Sequence, residues 1–379
     1  MRSYIINCRL YNNPDKLVHI GVSKGKIVEI IEKLDVSESI LFDAKDMILA
    51  PGLIDTHVHG AGGANPTDGK PSSLHTMAKT LCRLGTTAFN PTSFYIKSSD
   101  NTHLEMMGST QTHSDEADCL GIHLEGPFIN SIKKGGIALE CLAVPDRETL
   151  SDVLMKTCGQ LSIMTIAPEL PWNDNVIQIC KEFGIVASFG HSNADYSEAK
   201  EGFEQGMNLV THLNNAMKKY DRDKDAPFKA ILESDTYVQI ISDGVHLDEN
   251  TIKYFYEQFG AKRLICITDG IESCGLPDGE YSFKGKKYRS ENGLAFYSDG
   301  SGMIGTSLSL FDIMMRFKNF SECTLSEAIR TATENPSRCL GIDDRKGFIK
   351  EGYDADFIVI NGEGKLSVVI KNGKVIPSF

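Results

Sequence analysis

The residues with the clearest chemical potential are histidines and acids that close apolar runs. His57 and His59 end GLIDTHVH, Glu125 follows His123 in CLGIHLEG, His191 lies in IVASFGHS, His212 in NLVTHLNN, and Asp269 in RLICITDG. Two histidines one residue apart in an extended chain put both imidazoles on the same face. Alone, each of these residues has an ordinary explanation. A histidine in an apolar run is usually a hydrogen-bonded core residue, and an aspartate at a strand end is usually a helix cap. Gathered at one place they do not, because buried acids and imidazoles crowded together are costly without a partner. A divalent metal is such a partner. Imidazole nitrogen and carboxylate oxygen form a donor set that zinc, iron, manganese and cobalt all accept.

For these side chains to meet, the chain must bring the ends of the runs to one rim. Eight strand-like runs recur through the middle of the sequence: GLIDTHVH, TTAFNPTS, CLGIHLEG, LSIMTIAPE, IVASFGHS, NLVTHLNN, VQIISDGVH and RLICITDG. Between several of them lie helix-like segments that end in glycine, such as SLHTMAKTLCRLG, NVIQICKEFG and SEAKEGFEQG. Repeated strand-then-helix units imply a parallel sheet. Eight of them imply an α/β (β/α)8 TIM-like barrel, whose chemistry gathers at the C-terminal ends of the strands. The two ends of the chain differ from this. SYIINCRL, KLVHIGVS, KIVEIIEK, SILFDAKD and MILAPG at the start, with GFIKEGYDADFIVIN and GKLSVVIKNGKVIPS at the end, read as short strands with turn signals. They predict a small β-sandwich domain of residues 1–50 and 345–379, set against a barrel of residues 51–344.

Composition fits a globular enzyme. The 379 residues are 41% hydrophobic and 24% charged, and the formal net charge of −12 disfavours nucleic acid or an anionic membrane as partner. No run of about 18 apolar residues occurs, so no membrane span is expected. The opening MRSYIINCRLYNNPDK is charged too early for a signal peptide. The ten cysteines are scattered singly, as expected of reduced thiols packed in a core, and together these features predict a cytoplasmic protein.

HLEGPF, GHSNA, THLNNAM, SDGVH and ITDG, in that order after PGLIDTHVH, resemble the metal-dependent amidohydrolases. More narrowly they are similar to the N-acetylglucosamine-6-phosphate deacetylase family, over nearly the whole chain. The resemblance implies one or two divalent ions per subunit, zinc or iron first and manganese or cobalt as alternatives. His57 and His59 would hold one ion with Asp269 nearby, His191 and His212 a second, and Glu125 would bridge. Many amidohydrolases bridge with a carboxylated lysine on strand four, but here that strand ends IAPEL without lysine. The resemblance makes Asp269 the catalytic proton carrier between the attacking water and the departing amine. It places His246 on the sugar or its scissile carbonyl, and Asn215 and Ala216 on the phosphate. Arg222, in KKYDRDKDAP, would reach a phosphate in the neighbouring subunit of a homodimer, as a planar guanidinium suits. Relatives usually show Pro-Gly shortly after that arginine, and a histidine or glutamine near Ile137; here Gly136 offers only its backbone.

The implied activity is hydrolysis of the acetamide of a small sugar phosphate, N-acetylglucosamine 6-phosphate, to glucosamine 6-phosphate and acetate. The alternatives are an amidohydrolase for N-acetylgalactosamine 6-phosphate or another amide, and a non-catalytic amidohydrolase-like scaffold. Residues Gly300 to Gly305 match G-x-G-x-x-G, but they follow the eighth run and do not open a first βαβ unit. They are expected to form a tight loop near the pocket, with Ile304 and Gly305 closing over the sugar. His19, His75, His103 and His113 receive no function, and Trp172 is expected to pack.

Overall fold

The computed structural model describes residues 2–35, 38–219, 226–283, 285–300 and 302–377, the side chain of residue 226 excepted. Its centre is a parallel sheet of eight strands in sequential order: β1 (Leu53–Val58), β2 (Thr86–Ser93), β3 (Ile122–Glu125), β4 (Leu161–Ile166), β5 (Val186–Phe189), β6 (Leu209–Val210), β7 (Tyr237–Ile240) and β8 (Leu264–Cys266). These runs become strands because they are apolar, often β-branched, and covered on both faces, as parallel sheets require. All six residues of β1 and all eight of β2 are buried.

The sheet closes where β8 meets β1, and it closes at its C-terminal end. Val58 forms a parallel bridge with Gly270, the His59 amide donates to Gly270 O at 2.7 Å, and the Asp269 amide donates to His57 O at 3.0 Å. Lower in the seam a side chain replaces the backbone ladder. Thr268 Oγ1 donates to Asp55 Oδ2 at 2.6 Å. The backbone at the seam therefore fixes His57, His59 and Asp269 relative to one another.

Several boundaries differ from the sequence expectation. CLGIHLEG is broken at Leu120–Gly121, so that Asp118–Cys119 pairs with β2 before β3 begins; Gly121, at φ 98°, takes the turn. NLVTHLNN supplies only a two-residue strand, and its later part is bent chain. The helix signals hold well: SLHTMAKTLCRLG lies in a helix over Pro71–Arg83, and Asp195 and Glu198 form a reciprocal capping box on Tyr196–Gln205.

The chain ends form one eight-stranded sheet with its own core, which includes Ile5, Ile20, Ile27, Phe357, Val359 and Ile370. Its flanks meet, since Lys26 bridges to Asp354 and the Ile27 amide donates to Tyr353 O at 2.9 Å. A third, four-stranded antiparallel sheet follows β8: Gly279–Phe283, Lys286–Glu291, Leu294–Tyr297 and Met303–Thr306. Where a tight loop is expected at the G-x-G-x-x-G match, its second half is a strand, because Met303 and Gly305 pair with Phe296 and Ala295. Thr306 then pairs with Gly270, so this sheet is tied to the barrel mouth. Trp172 packs against the main core, and all ten cysteines are free.

Candidate active site

Each of five strands delivers a candidate residue to one rim. His57 and His59 come from the end of β1, Glu125 from β3, and His191, His212 and Asp269 from the turns after β5, β6 and β8. The six side chains converge. Glu125 Oε1 lies 2.9 Å from His191 Nε2, 3.0 Å from His212 Nε2 and 3.6 Å from His57 Nε2. Its other oxygen lies 3.5 Å from His59 Nε2. Asp269 Oδ1 stands 3.6 Å from His57 Nε2 and 3.3 Å from His59 Nε2.

Local backbone strain marks the same places. His191, His212 and Asp269 adopt φ of 48°, 27° and 48°. Left-handed backbone at a residue with a side chain costs on the order of 1–3 kcal/mol, so the surroundings must over-determine it. They do so at Asp269. A side-chain carbon on Gly305 (φ 150°) would sit 2.6 Å from Asp269 O, so only glycine lets the Met303–Thr306 strand press against that turn. His191 is held at its other ring nitrogen, Nδ1 donating to Lys133 O at 2.9 Å. Phe94 stacks on His59 with centroids 5.3 Å apart.

Burial alone would push the Glu125 carboxyl up, but the imidazoles of His191 and His57 outweigh it and hold it well below the usual range. For Asp269 burial is likewise opposed by the hydrogen bond from His59 and by the charge of His57, and its carboxyl is lowered. Burial meanwhile pushes His57 down to about 4, which favours its neutral form near pH 7. Two ionised carboxylates therefore sit among imidazoles. Among the described residues neither is ion-paired with a lysine or arginine. Asp269 is the more open of the two, with 14% of its side chain exposed against 5% for Glu125.

The donor set fits a divalent ion. Bonds of about 2.0–2.2 Å to nitrogen and oxygen separate neighbouring ligand atoms by about 3 to 3.5 Å, close to the spacings here. His57, His59 and Glu125 form one ligand triad, and Glu125, His191 and His212 form another.

The other expected site residues are placed less uniformly. The Asn215 amide donates to His212 O at 2.9 Å, and Ala216 has φ 48°. A side-chain carbon on Gly135 would lie 3.5 Å from both Ala216 Cβ and His191 Cε1, while one on Gly136 would meet nothing within 4 Å. Gly136 thus faces open space beside the cluster. Ile137 is buried with Phe94, Ile129 and Cys141, a packing role. His246 stands after β7, its Nδ1 2.6 Å from Asp243 Oδ2, without a hydrogen bond to the cluster. Ile304 packs on the core of the third sheet. Arg222 lies outside the described residues.

Sequence inspection missed the groups that hold this rim in place. Glu169, at the end of IAPEL, accepts from Asn130 Nδ2 at 3.0 Å, Ser192 Oγ at 2.7 Å and the Asn193 amide at 2.6 Å, joining the loops after β3 and β5. Asp55, pushed up to about 7 by burial, accepts from Thr268 beneath His57. His123 is a buried hydrogen-bonded core residue, with Nδ1 3.0 Å from Thr56 O and Nε2 2.9 Å from Thr165 Oγ1. The signal available for Glu169 was its position, a carboxylate closing a barrel strand.

The comparisons agree with this geometry. Residues 48–376 match the model of the Amidohydrolase family. The chain is 30% identical to N-acetylglucosamine-6-phosphate deacetylase of Bacillus subtilis, covering 94% of this chain and 92% of the relative. It is 32% identical to the Danio rerio protein of the same name, at 94% and 92% coverage. The crystal structure of N-acetylglucosamine-6-phosphate deacetylase from Pasteurella multocida superposes with a TM-score of 0.89 at 27% identity, over 99% of both chains. The chain belongs to the amidohydrolase family, within its N-acetylglucosamine-6-phosphate deacetylase branch.

Proposed function

We propose that this chain hydrolyses the acetamide of N-acetylglucosamine 6-phosphate to glucosamine 6-phosphate and acetate. The observation that carries the proposal is the pair of buried carboxylates at the barrel mouth, surrounded by imidazoles and, among the described residues, without a lysine or arginine paired to them. His57, His59 and Asp269 would hold one divalent ion, His191 and His212 a second, with Glu125 shared between them. Zinc or iron suits these donors best, and manganese or cobalt is also compatible. When bound, such an ion supplies Lewis acidity that makes water nucleophilic near neutral pH.

The chain's own groups do the rest. Asp269 is ionised, the more open carboxylate, and fixed at the seam, so it can take a proton from water attacking the acetyl carbonyl. It then returns that proton to the amine, which leaves only when protonated. Asp243 orients His246 by accepting from Nδ1–H, which leaves Nε2 as the ring nitrogen able to accept from a hydroxyl of the substrate. Asn215, Ala216 and Gly136, each beside His191 or His212 or next to a residue that is, would meet the sugar phosphate through polar backbone and side-chain groups. Gly305, pressed against the Asp269 turn, and its neighbour Ile304 would close over the sugar from the third sheet. We also propose that residues 1–50 and 345–379 act as one terminal domain, and that the enzyme is a cytoplasmic homodimer in which Arg222 reaches the partner's phosphate. No helix among the described residues is long and apolar enough to cross a membrane.

Acetate release from a panel of substrates tests the proposal. N-Acetylglucosamine 6-phosphate is expected to react faster than the unphosphorylated sugar and than N-acetylgalactosamine 6-phosphate. Equal rates with and without the phosphate would contradict it.

A further inference from the structure

Outside the barrel, a second group of metal-ligating side chains shares no residue with the site above. His75 lies on the helix Pro71–Arg83, while His113 and Glu116 lie on the segment leading towards β3. His75 Nδ1 stands 2.8 Å from Glu116 Oε2, His113 Nδ1 stands 3.6 Å from Glu116 Oε1, and the two rings are 4.5 Å apart. One ligand atom from each of the three lies within 4.8 Å of the others.

We propose that His75, His113 and Glu116 form a structural site for a divalent ion of the zinc class. Glu116 is fully buried, and its Oε1 has no hydrogen-bond partner. The nearest nitrogens to that oxygen are His113 Nδ1 and Lys79 Nζ, each 3.6 Å away. The Lys79 side chain is 52% exposed and sits four residues along the same helix from His75, so it can swing into water when an ion enters. Zinc bonds of about 2.0–2.2 Å put ligand atoms about 3.4 Å apart, a spacing that the 4.8 Å span of these three ligand atoms can close to. Two imidazoles and one carboxylate leave a fourth position for water, and they favour zinc, cobalt or nickel over the oxygen-seeking magnesium and calcium.

The Glu116 carboxylate and the backbone that carries His113 are held in place before any ion arrives. The His113 amide donates to Glu116 Oε2 at 2.8 Å, and the Glu116 amide donates back to His113 O at 3.0 Å. The Ala117 amide donates to Ala78 O at 3.1 Å on the helix, and Asn372 Nδ2 donates to Ser114 O at 2.9 Å from the C-terminal hairpin. An ion here ties the helix after β1 to a segment that already touches the terminal sheet. Its role is to clamp the two together, independent of the deacetylation proposed above.

The test is a cobalt(II) titration of the holoenzyme with its catalytic ions already bound, followed by visible absorption and calorimetry. The intact protein is expected to take one further equivalent and to gain thermal stability. In His113→Ala that equivalent should bind at least about tenfold more weakly, since even outer-shell changes at metal sites cost that much. Lys79→Ala should bind it more tightly, and acetate release should be unchanged in both variants. The proposal is overturned if the intact protein takes no further equivalent, or if His113→Ala takes it with unchanged affinity.

Discussion

Two groups of buried charge among the described residues solve the same problem in opposite ways. Where the terminal sheet meets the barrel, Lys346 and Lys371 sit among Asp118, Asp354 and Asp356. Lys346 is 2.6, 2.9 and 2.7 Å from these aspartates in turn, and Lys371 is 3.0 Å from Asp118 and from Asp356. Lys26 adds a third cation, 2.6 Å from Asp354. This group balances itself with lysine. The group at the barrel mouth has two ionised carboxylates, four imidazoles and no paired lysine or arginine among the described residues. Burial is common to both, so burial does not mark function. The missing counter-charge does, together with three left-handed residues at the strand ends.

The largest expected effect sharpens the mouth side of this contrast. Asp269→Asn should lower kcat by about 10²–10⁴-fold, the usual worth of a proton-transfer group. Metal content, measured alongside, should remain. If Asp269 were only a ligand, turnover would survive wherever the metal does. The next effect belongs to the lysine-balanced group. Lys371→Met strands Asp118 and Asp356 without one of their cations and should cost about 3–5 kcal/mol of stability in denaturant unfolding. A chelator should not change that loss.

Acid should separate the two groups as well. Burial would raise Asp354, but the charge of Lys346 outweighs it and lowers the carboxyl from 3.8 to about 2. A carboxylate lowered in the folded state contributes stability that is fully present above 3.8 and lost as pH falls towards 2. The contribution is about 2 kcal/mol. Unfolding followed from pH 5 down to pH 2 should show that loss in the intact protein and less of it in Asp354→Asn. The smallest effect expected is at Asp243. Asp243→Asn weakens the hold on His246 and should lower kcat/KM by roughly tenfold with metal content unchanged.

The mouth side of this contrast was legible in the sequence, for physical reasons, and the lysine-balanced side was not. The barrel strands showed because a sheet buried on both faces needs continuous apolar runs, and the six mouth residues showed because each ends such a run. The third sheet did not. Lys286–Glu291, KKYRSE, is charged and largely exposed, so it carries no apolar run that would mark a strand. Glu169 and Asp55 were hidden because their partners are amides and hydroxyls from other strands, which no local pattern reveals. His75 and His113 were passed over because Glu116, the acid that joins them, lies forty-one residues from one and three from the other.

The central claim is that the mouth cluster works by holding a divalent cation against its unbalanced carboxylates. The most direct test strips the protein with a chelator, confirms by circular dichroism that it stays folded, and follows acetate release from N-acetylglucosamine 6-phosphate as zinc, iron, manganese or cobalt is restored. Activity should vanish in the stripped protein and return with the first one or two equivalents, but not in Glu125→Gln. Full activity in the folded, metal-free protein would contradict the account.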